Sequence, residues 1–224
     1  MNQLNHIAII IDGNRRYAKR KALEVWKGHD FGAETVEKTI DWCNELKIKE
    51  LTFYALSQEN LKREKLEVEA LMNLMRRWFK KIKIDERIKK NKIKIRFIGR
   101  LNLLPKDIQV LSQEIERDTQ DYSNLTVNFC IAYGGRQEIV DAVSHLVKNN
   151  LEINEENIKK NLYLQSEPEL IIRTGGAPRL SNFLTWQSVY SEIIFLQKLW
   201  PEFTKQDLED CINQFQAIKR NFGK

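Results

Sequence analysis

Asp12 ends a short apolar run and is followed at once by Gly13, Asn14, Arg15 and Arg16. A carboxylate beside glycine and two guanidiniums suits phosphate chemistry. Arginine's planar fork matches phosphate oxygens in pairs. Glycine lets backbone N–H groups come close to an anion. The carboxylate can hold Mg2+ against a diphosphate, and the ion offsets the charge that builds on a departing one. A plainer reading, in which Asp12 caps a helix, also stands at this point. A second cluster, RTGGAPRLSN, starts at Arg173 and carries Arg179, Leu180 and Ser181. Two such clusters imply two phosphorylated substrates. His29, in WKGHDFG, could donate to a phosphate or cap a helix. Neither GxxxxGKS/T nor GxGxxG occurs, so this is a phosphate site without the usual nucleotide loop.

The elements that must position these residues are legible as alternation. Short apolar runs at 6–11, 50–56, 92–98, 125–132 and 170–173, with a sixth at 192–196, read as strands. Amphipathic stretches at 33–46, 66–83, 106–119, 136–148 and 205–219 read as helices. Such alternation predicts a single α/β domain over residues 1–224, with a mostly parallel central sheet of about six strands flanked by helices. Six of the nine glycines, Gly13, Gly99, Gly134, Gly135, Gly175 and Gly176, fall just past the ends of predicted strands. That edge is where open α/β sheets bind ligands. Turn chemistry explains single glycines, but not the arginines beside them: Arg15, Arg16, Arg136, Arg173 and Arg179. In the helix at 66–83, Leu71, Leu74, Met75, Trp78, Phe79 and Ile82 share one face. Core packing and the wall of a lipid tunnel both account for that face.

Bulk composition sets outer bounds. With 37 Lys+Arg against 31 Asp+Glu, the net charge of +6 fits a diphosphate, an anionic membrane surface or a nucleic acid without choosing among them. Lys80, Lys81, Lys83, Lys89 and Lys90 form a charged stretch, but Asp85 and Glu86 interrupt it. A solvated surface explains it better than a nucleic-acid stripe. Cys43, Cys130 and Cys211 lie far apart with no metal-binding spacing, which predicts reduced, buried thiols. The first apolar run is too short for a signal peptide, and no run has the length of a membrane span. The expectation is a cytoplasmic protein.

The segments HIAIIIDGNRRYAK, LTFYALSQENLKR, AYGGRQEIVDAV and PELIIRTGGAPRLSNFLTWQSVYSEIIF, followed by LWPEF, resemble the cis-prenyltransferases typified by undecaprenyl diphosphate synthase. The likeness runs over nearly the whole length, and RTGG with RLSNFLxWQ is its most specific part. The trans-type chain elongators carry DDxxD motifs, and this chain has no Asp-Asp pair. The resemblance implies a homodimer of α/β domains, each with a hydrophobic tunnel. It implies condensation of isopentenyl diphosphate with a farnesyl, geranyl or geranylgeranyl diphosphate, to a long polycis-polyprenyl diphosphate for a glycosyl carrier lipid. By position, Asp12 matches the aspartate that binds Mg2+ and assists diphosphate departure. Gly13, Asn14, Arg15, Arg16 and Tyr17, with His29, match the allylic diphosphate loop. Asn60 matches the position assigned as proton acceptor, and Ser57, Gln58, Glu59 and Arg63 match its substrate-contacting neighbours. Arg173, Arg179, Leu180 and Ser181 match the isopentenyl diphosphate site, and Glu192 the second metal-associated carboxylate. A neutral amide is a poor base, so the diphosphate or a water would take the proton, positioned by Asn60. Departures from the common pattern fall at Val25, Leu61, Ala177, Pro178, Glu169 and Asn221. A non-catalytic partner subunit of the same family would be expected to lack Asp12 and the phosphate arginines, which are present. Release of a lipid product implies peripheral contact with the inner membrane face.

Overall fold

Six parallel strands form one sheet in the order β3-β4-β2-β1-β5-β6 in the computed structural model, which describes residues 4–218. The strands are β1 (His6–Ile10), β2 (Glu50–Ser57), β3 (Ile93–Ile98), β4 (Leu125–Tyr133), β5 (Leu170–Arg173) and β6 (Glu192–Phe195). All five pairings are parallel, so the sheet is wholly rather than mostly parallel. Eight helices connect and cover it: α1 (Asn14–Arg20), α2 (Lys27–Glu45), α3 (Lys65–Ile84), α4 (Glu86–Lys90), α5 (Lys106–Thr119), α6 (Gly135–Lys148), α7 (Glu155–Asn161) and α8 (Lys205–Ala217).

Side chains alternate across the pleat. Ile7 and Ile9 of β1 join the larger core, with Phe53, Phe129, Phe79 and Trp200. Ala8 and Ile10 join a smaller one, with Tyr54, Tyr133 and Phe183. Both faces of β1 are therefore buried, as its unbroken apolar run requires. Lys219 and the tail that includes Asn221 lie outside the described residues.

Three helices were missed from sequence, each for a physical reason. α1, α4 and α7 have seven, five and seven residues, too short for a clear apolar stripe. α2 begins at Lys27, six residues before its expected start, because Gly28 and Gly32 lie inside its first turns. Glycine weakens a helix signal, yet here it serves packing. A Cβ on Gly28 would stand 2.0 Å from the Asn14 carbonyl oxygen, so α1 can approach α2 only over a bare backbone.

Candidate active site

β1 and β5 are adjacent and parallel, with Ile10 in register with Arg173. Asp12 and Arg173 thus emerge at the same sheet edge. An Arg173 Nη2 N–H donates to Asp12 Oδ2 at 3.0 Å, and Arg16 Nη2 lies 3.1 Å from Asp12 Oδ1. The two glycine-arginine clusters read from sequence therefore meet on one carboxylate. Arg16 also donates to the Gly175 carbonyl at 2.7 Å. Gly175 has φ +83°, and a Cβ there would stand 2.4 Å from Arg16 Nη2. The position needs glycine both for its backbone and for the guanidinium lying against it.

Arg173 is buried, with 4% of its surface exposed. It also donates to the Arg179 carbonyl and, at 2.8 Å, to Ser181 Oγ. The loop it grips carries positive φ at Ser181, Asn182 and Leu184. Non-glycine residues in that region hold strain that the surroundings must support. Asn182 supplies much of this support. Its side chain donates to Glu59 Oε1 at 3.2 Å and accepts from Arg136 N, and its carbonyl accepts from Gly135 N. Tyr54 and Tyr133 pack against Phe183 beneath it. Asn182 is the Asn of the RLSNFLxWQ segment, which by itself assigns no role to the amide.

On the other side of Asp12, a polar cavity is lined by Asp12, Gly13, Asn14, Arg15, Arg16, Lys19, His29 and Arg63. All but Lys19 were expected from sequence. Glu67 at the start of α3 organises the cations. Arg63 Nη1 donates to its Oε1 at 2.8 Å, with Arg15 Nε at 3.6 Å and His29 Nε2 at 3.7 Å. In the sequence Glu67 is one polar residue of an amphipathic stretch. A lone glutamate there has no signal until the fold brings three bases to it. Burial holds the His29 imidazole below its ordinary pKa, and the Arg63 charge adds to this, so the ring is neutral near pH 7. Three buried polar atoms at the site lack a hydrogen-bond partner: Asn14 Oδ1, His29 Nε2 and Arg173 Nε. Unsatisfied groups of this kind call for a ligand or ordered water.

A second cavity, apolar, meets the first at Asn14 and His29, which line both. Its walls come from α2 and α3, with Val36, Leu71, Leu74, Met75 and Trp78, and from the sheet, with Ala55 and Phe129. The apolar face of α3 thus supplies core residues and a cavity wall at once.

The remaining expected residues fall into three groups. Ser57 ends β2, and Gln58, Glu59 and Asn60 form the turn after it. There the Asn60 N–H donates to Ser57 Oγ at 3.2 Å, and the Ser57 N–H to Asn60 Oδ1 at 3.4 Å. Tyr17 packs on Phe31, outside the residues lining the polar cavity, and Leu180 packs on the smaller core. Glu192, expected as a second metal-associated carboxylate, lies on β6. Glu192 is in register with Leu170 and Phe195 with Arg173. Glu192 therefore opens β6, about 10 Å down the strands from the site edge. Among the described residues, no group of three or more His, Cys, Asp or Glu side chains gathers as a metal cluster.

The undecaprenyl diphosphate synthase family model matches residues 10–223. A geranylgeranyl-diphosphate-specific tritrans,polycis-undecaprenyl-diphosphate synthase of Thermococcus kodakarensis is 46% identical, over 98% of this chain and 86% of that one. An isoprenyl transferase of Thermotoga maritima is 43% identical, over 97% and 96%. The crystal structure of lavandulyl diphosphate synthase from Lavandula x intermedia, in complex with dimethylallyl diphosphate, superposes with a TM-score of 0.92. It is 33% identical and covers 99% of this chain and 98% of that one. With the shared edge of β1 and β5, the paired clusters and these likenesses in hand, the chain belongs to the cis-prenyltransferases, the enzyme family of undecaprenyl diphosphate synthase.

Proposed function

We propose that this enzyme condenses isopentenyl diphosphate with an allylic diphosphate, geranylgeranyl diphosphate in the first instance, to build a long polycis-polyprenyl diphosphate. The observation that carries the reading is the junction of a cationic cavity and an apolar one at Asn14 and His29. One molecule with a diphosphate head and a prenyl tail fills both. The starter preference is supported by the name of the Thermococcus relative, which is geranylgeranyl-diphosphate specific.

Arg15, Arg16, Lys19 and Arg63 hold the allylic diphosphate, and neutral His29 Nε2 is available to it. Arg173, Arg179 and Ser181 hold the incoming isopentenyl diphosphate across Asp12. The allylic C–O bond breaks with its electron pair leaving on the diphosphate. The double bond of the incoming unit then attacks the allylic carbon, and a proton is lost from that unit. Asn60 orients the diphosphate or water that takes the proton. The apolar walls exclude water from the developing cation. One carboxylate at the head of a diphosphate site fits Mg2+, which binds through one or two carboxylates plus substrate phosphates and keeps several waters. Asp12 would hold it, and the ion would offset charge on the departing diphosphate.

We place the product in a carrier-lipid role and the working form as a homodimer. Support for the dimer comes from β6, an edge strand whose Ile193 and Phe195, with nearby Val189 and Tyr190, are exposed. No helix among the described residues is long and apolar enough to cross a membrane. Peripheral contact is supported by Ile84, 79% exposed between Lys80, Lys83, Lys89 and Lys90. Flotation with anionic vesicles that is lost at high salt is the expected result, and no binding at low salt removes this contact.

Calorimetry with geranylgeranyl diphosphate, inorganic diphosphate and geranylgeraniol tests the two-cavity reading. The whole molecule should bind at least a hundredfold tighter than either part. Equal affinity for inorganic diphosphate and geranylgeranyl diphosphate would show that the apolar cavity takes no tail.

A further inference from the structure

We infer that Trp200 is a positioning residue for the allylic substrate. Its indole fixes the turn of α2 that carries His29 and supports Asn14, a role that rests on the two-cavity reading above. Trp200 opens a short 3-10 turn, Trp200–Glu202, between β6 and α8. It lines neither the cationic cavity nor the apolar one. Any effect it has on substrate therefore passes through other residues.

The side chain is wholly buried. Its ring stacks on Phe203, with centroids 5.3 Å apart, and meets Phe53 edge-on at 6.1 Å. A buried indole N–H needs a partner. Here Nε1–H donates to the Gly32 carbonyl oxygen at 2.9 Å, across 168 residues of sequence. A carbonyl oxygen inside a helix can take this second bond, because it has two lone pairs. The backbone N–H of Trp200 donates to the Asp12 carbonyl oxygen at 3.0 Å. One residue thus ties α2 to the loop that follows β1. The flanking chain adds to the hold. Leu199 packs so closely that a Cβ on Gly13 would stand 2.9 Å from its Cα, and Glu202 pairs with Arg20 at the end of α1.

Gly32 passes this hold on to the junction of the cavities. A Cβ on Gly32 would stand 2.4 Å from Asn14 Oδ1, so the Asn14 amide rests on bare backbone there. Asn14 has little else to fix its side chain, since Nδ2 reaches only the Ile11 carbonyl, at 3.4 Å. Its place is set by packing on α2. His29 lies on the same helix, one turn before Gly32. Asn14 and His29 are the two residues that line both cavities. The point where a diphosphate head gives way to a prenyl tail is therefore registered against Trp200. The isopentenyl side is held differently, by bonds from Arg173 to the Arg179 carbonyl and Ser181 Oγ. Loss of the indole bond should fall on one substrate and spare the other.

Trp200→Phe tests this. It keeps an aromatic ring and the backbone N–H to Asp12, and it removes the bond to Gly32. Steady-state kinetics with each substrate varied in turn, and calorimetry with geranylgeranyl diphosphate, read the result. KM and Kd for geranylgeranyl diphosphate should each rise about tenfold, with kcat and KM for isopentenyl diphosphate kept within about twofold, a smaller effect than the ~100-fold of a full 1 Å misplacement. Leu208→Val removes a methylene from the same core and leaves the indole bond in place. It should lower the melting temperature and keep both KM values. Gly32→Ala sets a methyl against the Asn14 amide and should reproduce the selective rise. Equal rises in both KM values for Trp200→Phe overturn the inference. So does a Trp200→Phe that loses melting temperature as Leu208→Val does and keeps its affinity for geranylgeranyl diphosphate. Should Trp200→Phe fail to fold, Gly32→Ala decides by the same split. A wild-type protein that binds no geranylgeranyl diphosphate overturns the two-cavity reading and this inference with it.

Discussion

Asp12 carries two guanidinium contacts on separate oxygens while a third of its side chain stays exposed. It is a functional group on a rim, so its removal should spare the fold. Asp12→Ala is expected to cut turnover by roughly three or more orders of magnitude, with an unchanged circular dichroism spectrum. Near-normal turnover would remove Asp12 from the chemistry. Glu67 is the opposite kind of residue, buried, paired with the charges of Arg15 and Arg63 and close to neutral His29. Glu67→Gln should loosen three diphosphate ligands at once and reduce kcat/KM by about 100-fold, the scale of a small misplacement. The loss should fall mainly on KM for the allylic substrate. A pure stability loss with normal kinetics would make Glu67 structural only. The direct ligands were legible in the sequence because arginine and glycine at strand ends have few other uses. Glu67, Asn182 and Lys19 were not, because their roles come from neighbours that are distant in the chain.

At the scale of elements, α1 and α2 lock together through bare backbone. Gly28→Ala would set a methyl 2.0 Å from the Asn14 carbonyl oxygen. Overpacking of this kind costs about 1–3 kcal/mol, readable as a drop in urea midpoint, and it should displace Asn14 and so weaken substrate binding. The buried histidines set an acid limit. Burial lowers the pKa of His6, against the pull of Glu50 and Glu169, and lowers that of His29, with Arg63 adding to it. A lowered folded pKa means the unfolded chain takes up protons first. Stability should therefore be full above the ordinary histidine value of about 6.5 and fall as pH drops below it. Thermal unfolding from pH 7.5 to 5.0 should show that decline, and His29→Asn should flatten it. A flat profile in wild type would mean that both rings titrate in the fold as they do in the unfolded chain. Five of the eight helices were legible from their stripes. α1, α4 and α7 were hidden by shortness, and the first turns of α2 by the very glycines that let it pack.

For the whole molecule, strand-helix alternation foretold the sheet, and parallel pairing of β1 with β5 joined two clusters 161 residues apart in sequence. Strand register puts Glu192 at the start of β6, a placement that a motif cannot give, since it names a residue's type and not the end of the strand it occupies. The exposed edge at β6 should give a dimer, twice the 26.5 kDa chain mass by light scattering. Ile193→Lys should shift it toward monomer, and a monomeric wild type would contradict the proposed assembly. The most direct measurement of the central claim is incubation of the purified protein with labelled isopentenyl diphosphate, Mg2+ and each short allylic diphosphate in turn, followed by chromatography of the lipid products. The account predicts a ladder of long prenyl products, strongest from geranylgeranyl diphosphate, that disappears with EDTA. No incorporation from any starter, by a folded protein with Mg2+ present, would contradict it.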